Sequence, residues 1–110
     1  MVPPPDDPRR THVFHQYVIR TPEREALREY LAGLEIETGI HYPVPIHRQP
    51  AWRDKFGDQR GGKFGDKFGE GPTLPRAELA AREMLSLPVH PDLTDGEVEH
   101  VAESVVRFFG

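Results

Sequence analysis

Apolar and polar residues alternate from Val13 to Arg20. Val13, His15, Tyr17 and Ile19 share one face, and Phe14, Gln16 and Val18 share the other. Both faces are partly apolar, which predicts a strand inside a sheet rather than at its edge. Thr21 predicts an N-cap, with Pro22 at the first helical position, where its missing N–H costs nothing. Glu23 and Glu25 suit the positive end of the helix dipole. Ala26, Leu27, Tyr30, Leu31 and Leu34 then recur at helical spacing and predict a helix to about Gly33. A second strand is predicted over Ile36 to Tyr42, with Ile36, Thr38, Ile40 and Tyr42 facing one way and Glu37, Gly39 and His41 the other. Leu74 to Leu85 predicts a second helix with Pro75 near its first turn, and Ser86 to His90 a short extended piece. Thr94 opens a third helix, with Glu97 at capping-box spacing and a buried stripe of Val98, Val101, Ala102, Val105, Val106 and Phe109. Strand, helix and strand in so short a space argue for a small α+β layer.

The ends and the middle behave differently. Met1 to Arg10 is rich in Pro and charge and predicts an unstructured lead-in. Lys55-Phe56-Gly57-Asp58 recurs as Lys63-Phe64-Gly65-Asp66 and, altered, as Lys67-Phe68-Gly69-Glu70. Its glycines disfavour helix and strand, so 55–71 is expected to be a duplicated surface loop. From Arg48 to about Thr73 little could enter a core. The 110 residues suffice for one domain, and the foldable part is small enough to be marginal alone or docked on something larger.

Charge and composition narrow the function classes. The net charge is −4 and the basic residues form no stripe, against nucleic acid as a partner. There is no cysteine, hence no disulfide or thiolate chemistry. No apolar run approaches the ~20 residues that span a bilayer. The first residues lack the apolar stretch of a signal peptide, so the cytoplasm is expected.

Gly39 to Pro50 holds two His, one Tyr and three Pro, which predicts a strand leaving the sheet into a stiff loop. His41, Tyr42 and His47 can donate and accept, which suits a hydroxyl-rich ligand or proton transfer. A structural role fits these residues too, with Tyr42 half-buried and the histidines bonded to loop carbonyls. No metal site is expected: His12 and His15 are three apart, on opposite faces of a strand, and no His-Glu-x-x-His helix occurs. Neither Ser86 nor Ser104 has the glycine setting of a nucleophile elbow, and no phosphate loop is present.

From His12 onward the chain resembles the C-terminal part of the DegT/DnrJ/StrS family of pyridoxal-phosphate-dependent sugar aminotransferases. The resemblance rests on Val13-Phe14-His15-Gln16-Tyr17-Val18-Ile19-Arg20, and on Thr38-Gly39-Ile40-His41-Tyr42-Pro43 with Pro45, His47, Gln49 and Pro50. Leu74-Pro75 with Ala77-Glu78, and Leu85-Ser86-Leu87-Pro88-Val89-His90-Pro91, complete it. It implies an α+β fold, a small antiparallel sheet with three helices, over 12–110, preceded by a disordered lead-in at 1–11. It implies substrate contacts at His41 and Tyr42, with His47 behind them, and packing roles for His15, Tyr17 and Ser86 to Pro91. The family usually has Gly where this chain has Glu35. The only lysines are Lys55, Lys63 and Lys67, and none matches the family's cofactor lysine. The resemblance therefore implies a segment with no catalytic residue and no cofactor of its own. Its partners would be a large domain that binds pyridoxal phosphate, or a homodimer mate. A keto-sugar nucleotide and an amino donor would be the substrates. The alternatives are one half of a split transaminase and a stand-alone sugar- or protein-binding module, with Phe56, Phe64 and Phe68 as its contact surface.

Overall fold

The computed structural model describes residues 1–51 and 73–110. The expected loop at 55–71 lies outside the described residues. The chain divides into two compact units, residues 1–41 with 82–110 and residues 42–81.

The first unit is built on two antiparallel strands, β1 (Tyr17–Arg20) and β2 (Met84–Leu87). Tyr17 pairs with Leu87, Val18 with Ser86, Ile19 with Leu85 and Arg20 with Met84. Helix α1 (Arg24–Ala32) packs on β2 and on the last helix, α3 (Asp95–Phe109). Ile19, Leu27, Leu31, Ile36, Leu85 and Val105 form the buried core, with Tyr17, Tyr30, Val101 and Phe108 packed around it. Leu27, Leu31 and Leu85 are fully buried. Each such side chain contributes about 1.5–3 kcal/mol of transfer free energy. Helix α2 (Pro75–Glu83) starts in the second unit and runs into β2. Among the described residues, three helices and a small antiparallel sheet match the expected α+β class.

Several boundaries differ from the sequence pattern. The first strand begins at Tyr17, not Val13. Phe14 has φ 45°, its amide donates to Nδ1 of His12 at 2.8 Å, and Val13 is 91% exposed. A left-handed residue there turns the chain out of extended geometry. The second predicted strand reduces to one bridge, Gly39 with Ser86. Pro43 and Pro45 beyond it can donate nothing to a ladder. Thr21 does not cap α1 directly. Its amide donates to the Glu83 carbonyl at 3.1 Å, which holds it as an extension of the sheet, and its Oγ1 accepts from Glu23 N at 3.1 Å. The helix therefore starts after Pro22. The first ten residues, expected to lack structure, include a bridge in which Val2 and Arg20 exchange backbone hydrogen bonds of 2.8 and 2.9 Å.

Both helix ends of the first unit show why the local sequence suffices there. After α1, Ile36 N donates to Leu31 O at 3.0 Å and Glu35 N to Ala32 O at 3.1 Å. These are the paired bonds of a Schellman motif, with Ile36 and Leu31 meeting in the core. The left-handed position falls on Glu35, φ 60°, while Gly33 stays right-handed. At α3, Thr94 and Glu97 form the full capping box. Thr94 N donates to Oε2 of Glu97 at 2.8 Å, and Glu97 N to Oγ1 of Thr94 at 3.3 Å. The buried face of α3 is narrower than its apolar pattern suggests. Val101, Ser104, Val105 and Phe108 face inward, whereas Val98 and Val106 are 52% and 65% exposed.

Replacing Glu35 with Gly should raise the unfolding free energy by about 1 kcal/mol, because Gly adopts the left-handed region without the β-carbon clash. Urea titration would show the gain, and an unchanged midpoint would contradict strain at this position. Thr94→Ala should lower stability by about 1 kcal/mol in the same assay. A loss near zero would mean that the capping box is not formed in solution.

Candidate functional site

In the first unit, Gly39 and Ser86 exchange both backbone bonds, Gly39 N to Ser86 O at 3.0 Å and Ser86 N to Gly39 O at 2.7 Å. Two residues beyond Gly39, on the same face by strand periodicity, stands His41. Its Nδ1 lies 3.0 Å from Oγ of Ser86, a residue only 7% exposed. The imidazole lies over Gly39. A β-carbon at position 39 would overlap Cε1 of His41 and stand 3.1 Å from Nδ1. His41, Ser86, Gly39, Thr38, Glu37 and His15 line an open depression of about 330 Å³. Its walls offer hydroxyls, imidazoles and a carboxylate, a donor and acceptor set that suits a hydroxyl-bearing ligand.

In the second unit, Tyr42 is 68% exposed rather than half-buried. The chain then passes Pro43 and Pro45 into a short 3-10 turn, Ile46–Arg48. His47, in that turn, is buried at 5% exposure. Its Nε2 is 2.9 Å from Oε1 of Glu78. The same oxygen accepts from Arg48 at 3.2 Å and from the amide of Leu74 at 3.1 Å. Glu78 thus ties the turn to the first turn of α2 and serves the backbone amide that precedes that helix. The His47 bond, then the Leu74 amide, and more weakly Arg48, hold its carboxyl down at about 2, from an ordinary 4.5.

The structure sorts the expected site residues. His41 borders a concave surface of mixed polar and apolar lining, Tyr42 is exposed, and His47 is interior and engaged with Glu78. Tyr17 packs on the core, but His15 is exposed and precedes β1, so its expected packing role gives way to a place on the depression wall. Ser86 does pair in the sheet, as expected, and also meets His41. The sequence pattern did not connect Ser86 and Glu78 to the run that begins at Gly39, because both partners lie on other elements. Among the described residues no group of three His, Cys, Asp or Glu could hold a metal ion. None of their helices is long and apolar enough to cross a membrane.

Comparison with known proteins gives this arrangement a context. The crystal structure of S. venezuelae DesV in complex with a ketimine intermediate matches with a TM-score of 0.77 and 34% identity, over 97% of this chain and 26% of that one. The "pleiotropic regulatory protein" of Geobacillus stearothermophilus is 38% identical over 99% of this chain and 26% of its own length. The dTDP-3-amino-3,6-dideoxy-alpha-D-galactopyranose transaminase of Aneurinibacillus thermoaerophilus is 36% identical over 90% of this chain and 23% of its own. The fold is consistent with a small domain of an aminotransferase. A model of the DegT/DnrJ/EryC1/StrS aminotransferase family matches residues 1–106, and the chain belongs to this family. It spans about a quarter of the length of these relatives.

The family's cofactor, pyridoxal phosphate, needs an amine for its imine and an acid beside its pyridinium nitrogen. No described residue is a lysine, since all three fall at 55, 63 and 67. The described residues therefore supply no lysine amine for that imine.

The Glu78 cluster has a definite pH signature. Its carboxylate stabilises the fold fully above about 4.5, and the contribution is lost as pH falls through about 2. Glu78→Gln should flatten that acid limb of the stability curve, read by urea unfolding across the range. A wild-type limb in the variant would show that the carboxylate is not held as described.

Proposed function

We propose that this chain is the C-terminal small-domain segment of a pyridoxal-phosphate-dependent aminotransferase acting on nucleotide-linked keto-sugars. The large domain of such an enzyme would supply the cofactor lysine, and residues 12–110 one wall of the substrate cleft. His41 and Tyr42 are the substrate-contacting residues in this reading. His47 acts behind them by fixing the turn next to Tyr42, since its ring is buried against Glu78. The observation that carries the reading is the depression at His41, with hydroxyls and imidazoles beside the apolar Leu87, Pro88 and Val89, within a chain of which 97% is matched by the DesV ketimine structure. Partition of labour follows from chemistry. Imine formation needs an amine, whereas orienting a sugar needs hydroxyls, imidazoles and phenols.

By itself the 110-residue chain should then retain no pyridoxal phosphate and be colourless once unbound cofactor is removed by gel filtration. The desalted chain should show no internal-aldimine band, and borohydride should trap no adduct at a single lysine. A stoichiometric, borohydride-stable adduct at Lys55, Lys63 or Lys67 would overturn the proposal. Co-purification of the tagged chain from its native cells adds a second readout. A yellow complex with a lysine-bearing large domain supports the small-domain role.

A further inference from the structure

The depression in the first unit holds a device that the family assignment does not describe. Ser86 sits in β2 with its backbone N–H and C=O both given to Gly39. What remains is its hydroxyl, on a residue 7% exposed, where a polar group needs a partner. His41 supplies one at 3.0 Å across 45 residues of sequence. The bond favours one of the staggered rotamers open to an exposed imidazole. The bridge at Gly39 fixes where the His41 backbone stands, the missing β-carbon at 39 gives the ring room to lie flat, and the hydroxyl selects the rotamer.

We propose that Ser86 is a positioning residue, with Gly39 as its clearance, and that together they orient the His41 imidazole at the depression for ligand recognition. The ligand part of this statement rests on the reading of His41 as a substrate contact. The orientation part does not. Ser86 lines the depression, but its hydroxyl is engaged with His41 and its effect on a ligand runs through that ring. A single hydrogen bond of ordinary net strength biases the rotamer populations about fivefold. That is a modest pull, and it is effective because the backbone on both sides is already fixed by the strand bridge.

The test is nitrogen-15 NMR of the full chain without ligand, following the Nδ1 shift and side-chain couplings of His41. In wild type, one rotamer should outweigh the others about fivefold, with Nδ1 shifted by its hydrogen bond. Ser86→Ala should lower the preference for that rotamer and remove that shift, while core amide signals stay in place. Ser86→Thr keeps a hydroxyl and should restore both. Gly39→Ala should displace the ring even with Ser86 intact, which keeps the idea open to refutation if Ser86→Thr packs badly. A purely structural serine would leave the His41 ring unmoved in Ser86→Ala, and that result would overturn the proposal. Adding dTDP-glucose to the wild type addresses the substrate reading separately. Shifts confined to the depression, lost in His41→Gln, support it. Their absence with a well-held ring would overturn the recognition role of His41, and the ring data alone decide on Ser86.

Discussion

The antiparallel pairing of two four-residue strands that lie far apart in the sequence is the constraint on which the first unit is built. Arg20 and Glu83, at the β1–β2 junction, are 63 positions apart and joined by a 2.7 Å ion pair. Closing so long a stretch costs entropy before any contact rewards it. The return comes from Ile19 and Leu85, which pair across the ladder and enter the core with Leu27 and Leu31. Once the ladder exists, three other contacts follow from it. Val2 can bridge Arg20, Thr21 can donate to Glu83, and Gly39 can bridge Ser86. The last of these sets the position of His41. Stability and the candidate site therefore rest on one non-local pairing.

Features that a few neighbouring residues determine were legible in the sequence. The Thr94–Glu97 capping box needs only three residues of spacing and appears as expected. The left-handed turn at Glu35 was readable because a glycine is usual there in the family it resembles, and φ 60° shows the position keeps its geometry without it. Features set by distant partners were not legible, such as that only Gly39 of the second predicted strand would pair. The turn of Phe14 out of the strand is local, on a bond to His12 two residues away, but alternation of apolar and polar residues does not encode it. The α3 stripe shows a different failure. Val98 and Val106 are apolar, but the face that packs on α1 is set by where Val101 and Val105 point. Apolar content marks what can be buried, and packing decides what is.

The candidate site shows the same division. The run from Gly39 to Pro50 announced chemistry through its ring groups, yet its members have different fates. His41 meets a serine from β2, Tyr42 is largely exposed, and His47 is consumed by an internal carboxylate. The rings were visible in the sequence, but their partners Ser86 and Glu78 were 45 and 31 positions away. A histidine's role is set by what its nitrogens meet, which residue type alone does not give.

The Glu78 cluster has a consequence for how this chain tolerates change in length. It clamps positions 47 and 48 to positions 74 and 78, so both ends of the intervening stretch are anchored whatever that stretch contains. The entropy of closing a stretch grows only with the logarithm of its length, about 0.6 kcal/mol for each doubling. Added residues between two such anchors are nearly neutral for folding. The triplicated Lys-Phe-Gly unit lies in that interval. The clamp thus separates the length of this interval from the register on which the ladder depends.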